Sequence, residues 1–307
     1  MKILFLTHRP DTPSTRYRVD PFAERFRRAG HDVRIRKFSS SLLDLWPMLR
    51  DAREADAVVL QKRLPSAWIT RALRRRASRL VYDFDDAVYL ASPQRDRRFA
   101  AVVAAADHVV AGNSHLADRA RGGGARGVTV IPTVLDPAKY ENAEPPNHDG
   151  VVAGWIGAGG NLPYLEAILP RLAGLPVRVR VVCDRFPEGV ERISWSAEGE
   201  AAAVAGMDIG LAPMPDDDWT RGKCGTRVLQ YFACGLPVVA DDVGVHRDLV
   251  GDGGLLVRSP EEWPLRVLEL AKDGGLRRRM GAAGRARLKE RFTPEAAWPR
   301  WKEILSL

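Results

Sequence analysis

Short apolar runs alternate along the chain with stretches whose apolar residues recur at helical spacing. In the first half, residues 20–29 place Phe22 and Phe26 one turn apart on a helix that ends at Gly30, and residues 66–79 predict a very basic helix. Apolar runs predict strands at 3–6, 33–35, 57–60, 79–82, 108–112 and 128–131. This alternation predicts a parallel sheet covered by helices on both faces.

The pattern restarts after residues 141–150, which lack apolar periodicity and contain two prolines, as expected of a linker. Further strands are predicted at 151–156, 177–182, 209–212 and 238–240, with a helix from about Tyr164. The fold class is therefore α/β, with two doubly wound Rossmann-like domains facing across a cleft. We predict domains at 1–145 and 146–291, and a C-terminal helix at 292–307 that packs back toward the first domain.

Charge is distributed unevenly between the two halves. The net charge is +8, and residues 1–150 contain 26 Lys and Arg against 18 Asp and Glu, so the whole excess lies in the first half. Such a field favours an anionic partner, either a phospholipid surface, a phosphorylated acceptor or nucleic acid. The alternative is a coding bias that places arginine on solvated faces.

Other features of the composition concern location. No apolar run reaches the roughly 18 residues of a membrane-spanning helix, and the apolar run at the N-terminus suits a first strand better than a signal peptide. The three cysteines lack metal-ligand spacing, which indicates free thiols. We therefore expect a cytoplasmic protein, with peripheral contact to the inner membrane face through the basic half as one option.

Residues 219–240 carry the clearest chemical signal. They are a basic, glycine-containing loop, a short helix, a Cys-Gly-Leu-Pro stop and a buried strand. The start of a helix offers unpaired N–H groups and partial positive charge, which together suit a phosphate. The residues predicted to line this site are Lys223, Gly225, Thr226, Arg227 and Gln230, with Arg221 nearby.

A glycine-rich turn follows the strand at 151–156. Gly157, Gly159 and Asn161 would let a phosphate approach the backbone closely. A dinucleotide fingerprint fails at its third glycine, where this chain has Leu162, although Asp184 falls where a ribose-binding carboxylate would lie. A nicotinamide cofactor and a tight turn without a ligand therefore stay open.

Three acidic residues, Asp83, Asp85 and Asp86, follow the strand at 79–82. Carboxylates at the carboxyl end of a strand face the ligand side of a doubly wound sheet. They could position a sugar hydroxyl, act as a base or hold a divalent cation. Salt bridges to neighbouring arginines are the structural alternative.

The loop after the first strand, residues 8–18, contains Arg16 and Arg18. They share one side if the chain is extended there, and would suit an anionic or polyhydroxy ligand. A solvated loop is the alternative.

With these motifs in place, the chain resembles the retaining glycosyltransferases of family 4, which have two Rossmann-like domains in the GT-B arrangement. The resemblance covers nearly the whole length. Its most specific segments are 210–215, 222–240, 241–244 and 250–257, together with 130–136 and the Asp-Phe-Asp-Asp strand end at 83–86.

Several positions depart from that family's pattern. Its two glutamates, which have seven residues between them, fall on Gly222 and Gln230. Its diphosphate-binding Arg and Lys are missing after Gly157, and Lys223, Arg227 and Arg221 are our candidates to replace them. The histidine expected at the fourth strand end falls near Asp83 or Asp85, and the N-terminal Gly-Gly turn is missing.

The resemblance implies transfer of a sugar from a nucleotide sugar, with retention and without a metal or cofactor. We expect the donor on the second domain at Gly157, Asn161, Gly225, Thr226, Arg227 and Gln230, and the acceptor at Arg16, Arg18, Asp83 and Asp86, with Lys223 and Asp85 as the catalytic residues. One alternative is a non-catalytic module that binds a sugar nucleotide or phosphate. A nucleic-acid binder is another, disfavoured because no recognised module is present.

Overall fold

A computed structural model describes residues 1–8, 12–141, 143 and 149–307 of the chain. It contains two compact units, each built on one parallel six-stranded sheet with helices. The first unit comprises Met1–Val134, Arg221–Cys224 and Ala297–Leu307, and the second comprises Leu135–Thr220 and Gly225–Ala296. The prediction of two doubly wound α/β domains is confirmed.

The strands of the first unit are β1 Lys2–Thr7, β2 Asp32–Lys37, β3 Ala57–Gln61, β4 Leu80–Phe84, β5 His108–Ala111 and β6 Val128–Val130. The strands of the second unit are β7 Val151–Ile156, β8 Val177–Cys183, β9 Glu191–Ser194, β10 Ile209–Ala212, β11 Val238–Asp241 and β12 Gly254–Val257. The first seven helices in the described residues are α1 Pro13–Arg18, α2 Asp20–Arg28, α3 Leu42–Glu54, α4 Ala67–Arg76, α5 Pro93–Ala105, α6 Ser114–Gly122 and α7 Ala138–Glu141. The later helices are α8 Leu162–Glu166, α9 Leu169–Leu172, α10 Glu200–Ala205, α11 Asp218–Arg221, α12 Thr226–Ala233, α13 His246–Val250, α14 Glu262–Lys272, α15 Gly274–Arg291 and α16 Pro294–Leu305. Short 3-10 turns lie at Val88–Ala91, Gly159–Asn161 and Gly251–Gly253.

The order of strands places a ligand crevice in each sheet. The first sheet runs β2-β1-β3-β4-β5-β6 and the second runs β12-β11-β10-β7-β8-β9. The order therefore reverses between β1 and β3 in the first sheet, and between β7 and β10 in the second. Doubly wound sheets bind ligands at such reversals, outside the carboxyl ends of the strands. The loops after β1, β3, β7 and β10 are thus the places to look for function.

An aromatic core lies on one side of the first sheet. Phe22 and Phe26 of α2 are buried against Phe5 of β1, as their one-turn spacing predicted. Trp301 of α16 completes this cluster, with its ring centroid 5.5 Å from that of Phe22. Burial of side chains this large stabilises the unit by roughly 2–3 kcal/mol each.

The second sheet is tied together beneath its reversal point. The Tyr231 hydroxyl of α12 donates toward the carbonyl oxygens of Gly154 in β7 and Leu211 in β10, at 3.1 and 3.0 Å. It also accepts from the Ile156 amide at 3.2 Å. A Cβ at Gly210 would lie 2.3 Å from the Tyr231 ring, so glycine is needed there for the helix to approach the sheet.

Some elements differ from the sequence predictions. Residues 13–18 are helical rather than extended, and β9 and β12 were not predicted. The first unit ends at Val134, before the predicted boundary at 145, because Tyr140 of α7 donates its hydroxyl to Glu200 of α10 at 2.7 Å. Most of the predicted linker at 141–150 lies outside the described residues. Among the helices of the described residues, none is long and apolar enough to cross a membrane.

Candidate functional site

A basic side chain meets a glycine turn at the reversal point of the second sheet. Arg227, in the first turn of α12, donates its Nε to the carbonyl oxygen of Ile156 at the end of β7. Its guanidinium lies over the Trp155 ring, with its carbon 4.5 Å from the centroid. A Cβ at Gly157 would lie 2.7 Å from Nη2 of Arg227, so the absence of a side chain at Gly157 leaves room for the guanidinium.

The electrostatic environment of Arg227 indicates an anion site. Burial lowers the pKa of Arg227, and within the described part of the chain no carboxylate pairs with it. A partly buried guanidinium without a counter-ion gains stability when a ligand supplies the negative charge. Its stacking on Trp155 holds the planar donor fork in place, in the geometry that suits a phosphate.

The start of α12 adds backbone donors beside Arg227. Gly225 adopts a left-handed backbone with φ of 67°, and no side chain of the described residues caps the helix there. A Cβ at Gly225 would also lie 2.2 Å from Leu249, so both the backbone and the packing require glycine. The N–H groups of the first turn, including that of Thr226, are thus oriented as in helix N-termini that bind anions.

The turn after β7 is held in place by Asp184, which directly follows β8. The Gly159 amide donates to Asp184 at 2.9 Å, and a Cβ at Gly159 would lie 2.5 Å from Arg185. Asp184 therefore shapes the turn, which weakens the nicotinamide alternative. Asn161 lies at the start of α8 and is partly exposed. Gln230, with 7 % of its surface exposed, lies one turn after Arg227.

A second group of residues sits below the reversal point of the first sheet. Arg18 and Asp83 are 2 % and 1 % exposed and form a buried ion pair. Arg18 donates Nε to the carboxylate at 3.0 Å and Nη1 to the carbonyl oxygen of Ile131 at 3.0 Å. Burial alone would lower the pKa of Arg18, but the charge and hydrogen bonds of Asp83 outweigh it and raise that pKa above its ordinary value.

Lys62 organises the two remaining carboxylates. It follows β3 with a left-handed backbone, φ 59°, and its ammonium contacts Asp86 as well as Asp85 at 3.2 Å. Burial acts to lower the pKa of Lys62, but Asp85 and Asp86 raise it. The Ser14 hydroxyl donates to Asp85 at 3.3 Å. Although burial opposes it, the charges of Lys62 and Arg18 lower the pKa of Asp85, so this carboxylate is ionised.

Lys223 joins this cluster in the first unit. Its ammonium lies 3.0 Å from Asp86, in a loop that Asn113 fixes by donating Nδ2 to the carbonyl oxygens of Arg221 and Lys223 at 3.1 and 2.9 Å. The Cys224 thiol donates to the backbone oxygen of Asp85 at 3.3 Å, and burial raises the pKa of that thiol. The loop at 221–224 is therefore built into the first unit by several independent contacts.

The sequence predictions need correction at three residues. Arg16 and Arg18 do not share one side, because α1 is helical, where residues two apart diverge. Arg18 and Asp83 form a closed internal pair rather than a surface for an acceptor. Arg16 stays partly exposed, with its guanidinium 5.4 Å from the Tyr17 ring centroid.

Sequence reasoning missed Lys62 and Asn113. Lys62 had a usable signal, since it directly follows a buried strand at the ligand edge of the sheet. Asn113 gave only the signal of a helix N-cap, which it also is, because its Oδ1 accepts from the Leu116 amide at 2.8 Å. Its hold on the 221–224 loop joins residues far apart in the chain.

His246 makes the second unit sensitive to acid. It is 4 % exposed and donates Nδ1 to the backbone oxygen of Asp241 at 2.9 Å, and burial lowers its pKa to about 4. We expect this residue to remove about 2 kcal/mol of unfolding free energy between pH 7 and pH 5, because the unfolded imidazole, with pKa near 6.5, gains a proton there and the buried one does not. Its stabilising contribution is thus present above pH 6.5 and is lost as the pH falls toward 4.

Denaturant titrations of His246→Gln and wild type at both pH values test this expectation. The difference between the two proteins in how their unfolding free energy changes with pH gives the contribution of His246. Burial raises the pKa of Asp241 to about 6, which acts on stability in the opposite direction, but Asp241 is present in both proteins and its effect cancels. His115→Gln, in the first unit, is the matched control. Equal pH slopes for wild type and His246→Gln would contradict the assignment.

Comparison with known proteins adds family and fold information. The profile of a family described as glycosyl transferase-like matches residues 163–305. No curated protein sequence matches the chain significantly.

Solved structures resemble the chain over its whole length. Sucrose-phosphate synthase from Thermosynechococcus elongatus has a TM-score of 0.79 at 16% identity, covering 100% of this chain and 98% of that one. HepE from Anabaena, in complex with UDP-glucose, has a TM-score of 0.75 at 17% identity, covering 100% of this chain and 99% of that one. A glycosyltransferase from Rickettsia africae has a TM-score of 0.78 at 14% identity, covering 99% of this chain and 98% of that one. The chain therefore has the two-domain GT-B fold.

Proposed function

We propose that the protein is a glycosyltransferase that moves a sugar from a nucleotide-sugar donor to an acceptor. The observation that carries this proposal is Arg227, whose partly buried guanidinium stacks on Trp155 and lies at the glycine turn of the second sheet. A diphosphate would supply the missing negative charge there. The glycosyl transferase-like match over 163–305 includes Arg227 and the whole of α12.

The donor would lie on the second unit. Its diphosphate would contact Arg227, the first-turn N–H groups after Gly225 and the backbone at Gly157, with Asn161 and Thr226 at the edges and the ribose near Gln230. The hard step is departure of the nucleoside diphosphate from an oxocarbenium-like sugar. Arg227 and the start of α12 would stabilise the charge that accumulates on the leaving group, an electrostatic effect that is strong in a dry site.

The acceptor would lie on the first unit. Asp85 is ionised and partly accessible, so it can accept a hydrogen bond from an acceptor hydroxyl and position it. Lys223 is bound to Asp86, so we assign it to this cluster, and we keep Arg16 of the same unit as an acceptor-binding candidate. We also propose retention of configuration, which the family 4 resemblance supports, with a phosphate oxygen of the leaving group taking the acceptor proton.

We propose that neither metal nor cofactor takes part. The cations of Arg18, Lys62 and Lys223 already neutralise Asp83, Asp85 and Asp86, where a metal was the alternative. We also propose a cytoplasmic location, which the free state of Cys183, Cys224 and Cys234 supports, since thiols persist in reducing compartments.

A thermal-shift screen with UDP, GDP, ADP and TDP sugars, each with and without EDTA, tests the donor assignment. We expect at least one sugar nucleotide to raise the melting temperature, since a ligand at about 100 times its Kd stabilises the native state by about 2.7 kcal/mol. UDP-glucose is the first compound to try, because HepE was solved with it. A screen without any shift would contradict the donor site.

A non-catalytic sugar-nucleotide module is the second candidate. Gly222 and Gln230, which stand where family 4 has glutamates, favour it. The discriminating experiment measures transfer and hydrolysis of the bound donor across an acceptor panel. Binding with neither reaction would support the module and contradict the enzyme.

A further inference from the structure

Two neighbouring helices of the first unit expose large apolar side chains. Leu43 and Trp46 of α3 are 88 % and 67 % exposed, and Trp68 of α4 is 51 % exposed. Leucine and tryptophan are expected in a core or against a partner, so three of them on adjacent helices form an unusual surface.

Each helix places an arginine behind its apolar residues on the same face. On α3 the order is Leu43, Trp46, Arg50, and on α4 it is Trp68, Arg71, Arg75, at i, i+3 and i+7 in both cases. We call these six residues the α3/α4 surface. Its apolar residues lie toward the start of each helix and its charges toward the end.

The charge of this surface is largely unneutralised. Between Gln61 and Tyr82 the chain has seven Lys and Arg and no Asp or Glu. In the described ranges, no ion pair engages Arg71 or Arg75, whereas Arg74 pairs with Asp107 at 2.6 Å. On α3, Glu54 reaches Arg50 only at 4.0 Å and also Arg34 at 3.8 Å, and Asp44 is the other exposed acid. The balance is therefore positive.

We propose that the α3/α4 surface docks the protein on an anionic phospholipid bilayer. Tryptophan favours the boundary between headgroups and acyl chains, where its ring is apolar and its N–H is hydrated. Unpaired arginines beside it are attracted by anionic headgroups, at about 1 kcal/mol for each basic residue. Exposed apolar and basic residues in one helix face are the pattern of interfacial binding. Charge complementarity thus selects this occupant, and the proposal is independent of the donor site.

Sedimentation with vesicles tests the proposal. We expect wild type to bind vesicles of phosphatidylcholine and phosphatidylglycerol, and to bind pure phosphatidylcholine at least about tenfold more weakly. Arg71→Gln with Arg75→Gln should weaken anionic binding by roughly tenfold or more and reduce its salt dependence. Trp46→Ser with Trp68→Ser should also weaken it roughly tenfold, and should abolish the blue shift of tryptophan fluorescence on binding.

The matched control changes the second unit in the same way. Leu265→Ser with Arg278→Gln and Arg279→Gln removes one exposed apolar side chain and two exposed arginines elsewhere, and should bind like wild type. All substituted side chains are exposed, and circular dichroism verifies that each variant folds.

Three results would overturn the proposal. One is failure of wild type to sediment with anionic vesicles. Another is equal binding by wild type and both α3/α4 variants. The third is evidence that the surface binds a different partner while vesicle binding is absent. Such evidence would be a tryptophan-dependent dimer in gel filtration, or a gel shift with nucleic acid that the arginine variant loses.

Discussion

Replacement of Arg227 by methionine is expected to lower kcat/KM by at least about a hundredfold, the scale seen when one preorganised donor to a developing negative charge is removed. Methionine keeps an apolar stem over Trp155 but removes the charge and the donors. The melting temperature of the free protein should change little, because the change removes a partly buried charge that no described carboxylate neutralises, and this offsets the lost donor to the carbonyl oxygen of Ile156. Lower activity together with undiminished stability is the signature of a ligand-binding arginine.

Steady-state kinetics with the donor found in the thermal-shift screen measure this effect, and calorimetry of nucleoside diphosphate binding gives a second readout. Arg285→Met is the matched control, since Arg285 also donates to a backbone oxygen of α12, that of Ala233, at 3.1 Å, yet is solvent exposed. It should keep near wild-type activity. Unchanged kcat/KM and unchanged diphosphate affinity in Arg227→Met would contradict the donor assignment.

Lys223→Ala in the same assay separates the two cations. The structure binds Lys223 to Asp86, so its loss should reduce activity less than the loss of Arg227. A larger loss with Lys223→Ala would return the catalytic role at the donor diphosphate to Lys223, which we predict from the sequence to be a catalytic residue.

Replacement of Asp83 by asparagine is expected to lower the unfolding free energy of the first unit by about 3–5 kcal/mol, because it leaves the Arg18 guanidinium buried without its counter-ion. The size of this effect follows from the burial of both partners and from the two nitrogens, Nε and Nη2, that donate to the carboxylate. Guanidinium denaturation monitored by circular dichroism measures it, with the transition of the first unit fitted separately.

The double variant Arg18→Met with Asp83→Leu distinguishes the pair from its surroundings. Replacing a buried ion pair by apolar side chains is often neutral or stabilising, so the double variant should regain most of the loss. It leaves the carbonyl oxygen of Ile131 without the Arg18 donor, which limits the recovery. Asp96→Asn, at an ion pair with partly exposed partners, should cost less than about 1 kcal/mol. An Asp83→Asn loss as small as this control would contradict the role of the pair.

The strands were predictable because they are continuous apolar runs between glycine, proline and polar signals, as in residues 57–60 and 209–212. The short helix α1 was not, since it has six residues, begins with Pro-Ser-Thr and gains its helical state from the burial of Thr15, Tyr17 and Arg18. Local pattern carries no information about such tertiary burial.

The candidate site was predictable in part for the same reason. Arg227 and Gly157 were found from a helix start and a strand end, both of which are local signals. The partner of Lys223 was not, because Asp86 lies far away in the sequence and only the fold joins them. A lysine in a basic loop can bind a phosphate or form an ion pair with a distant carboxylate, and a single sequence does not distinguish these two roles.

The contribution of α16 to the first aromatic core has a consequence for biosynthesis. Phe5 and Trp301 lie against each other although they are near opposite ends of the sequence. On a ribosome the segments Met1–Val134 emerge early, but the unit they belong to lacks its last helix until translation reaches Ala297–Leu307. The unit whose synthesis begins first therefore lacks its last helix until the residues of the second unit, which end at Ala296, have also been translated.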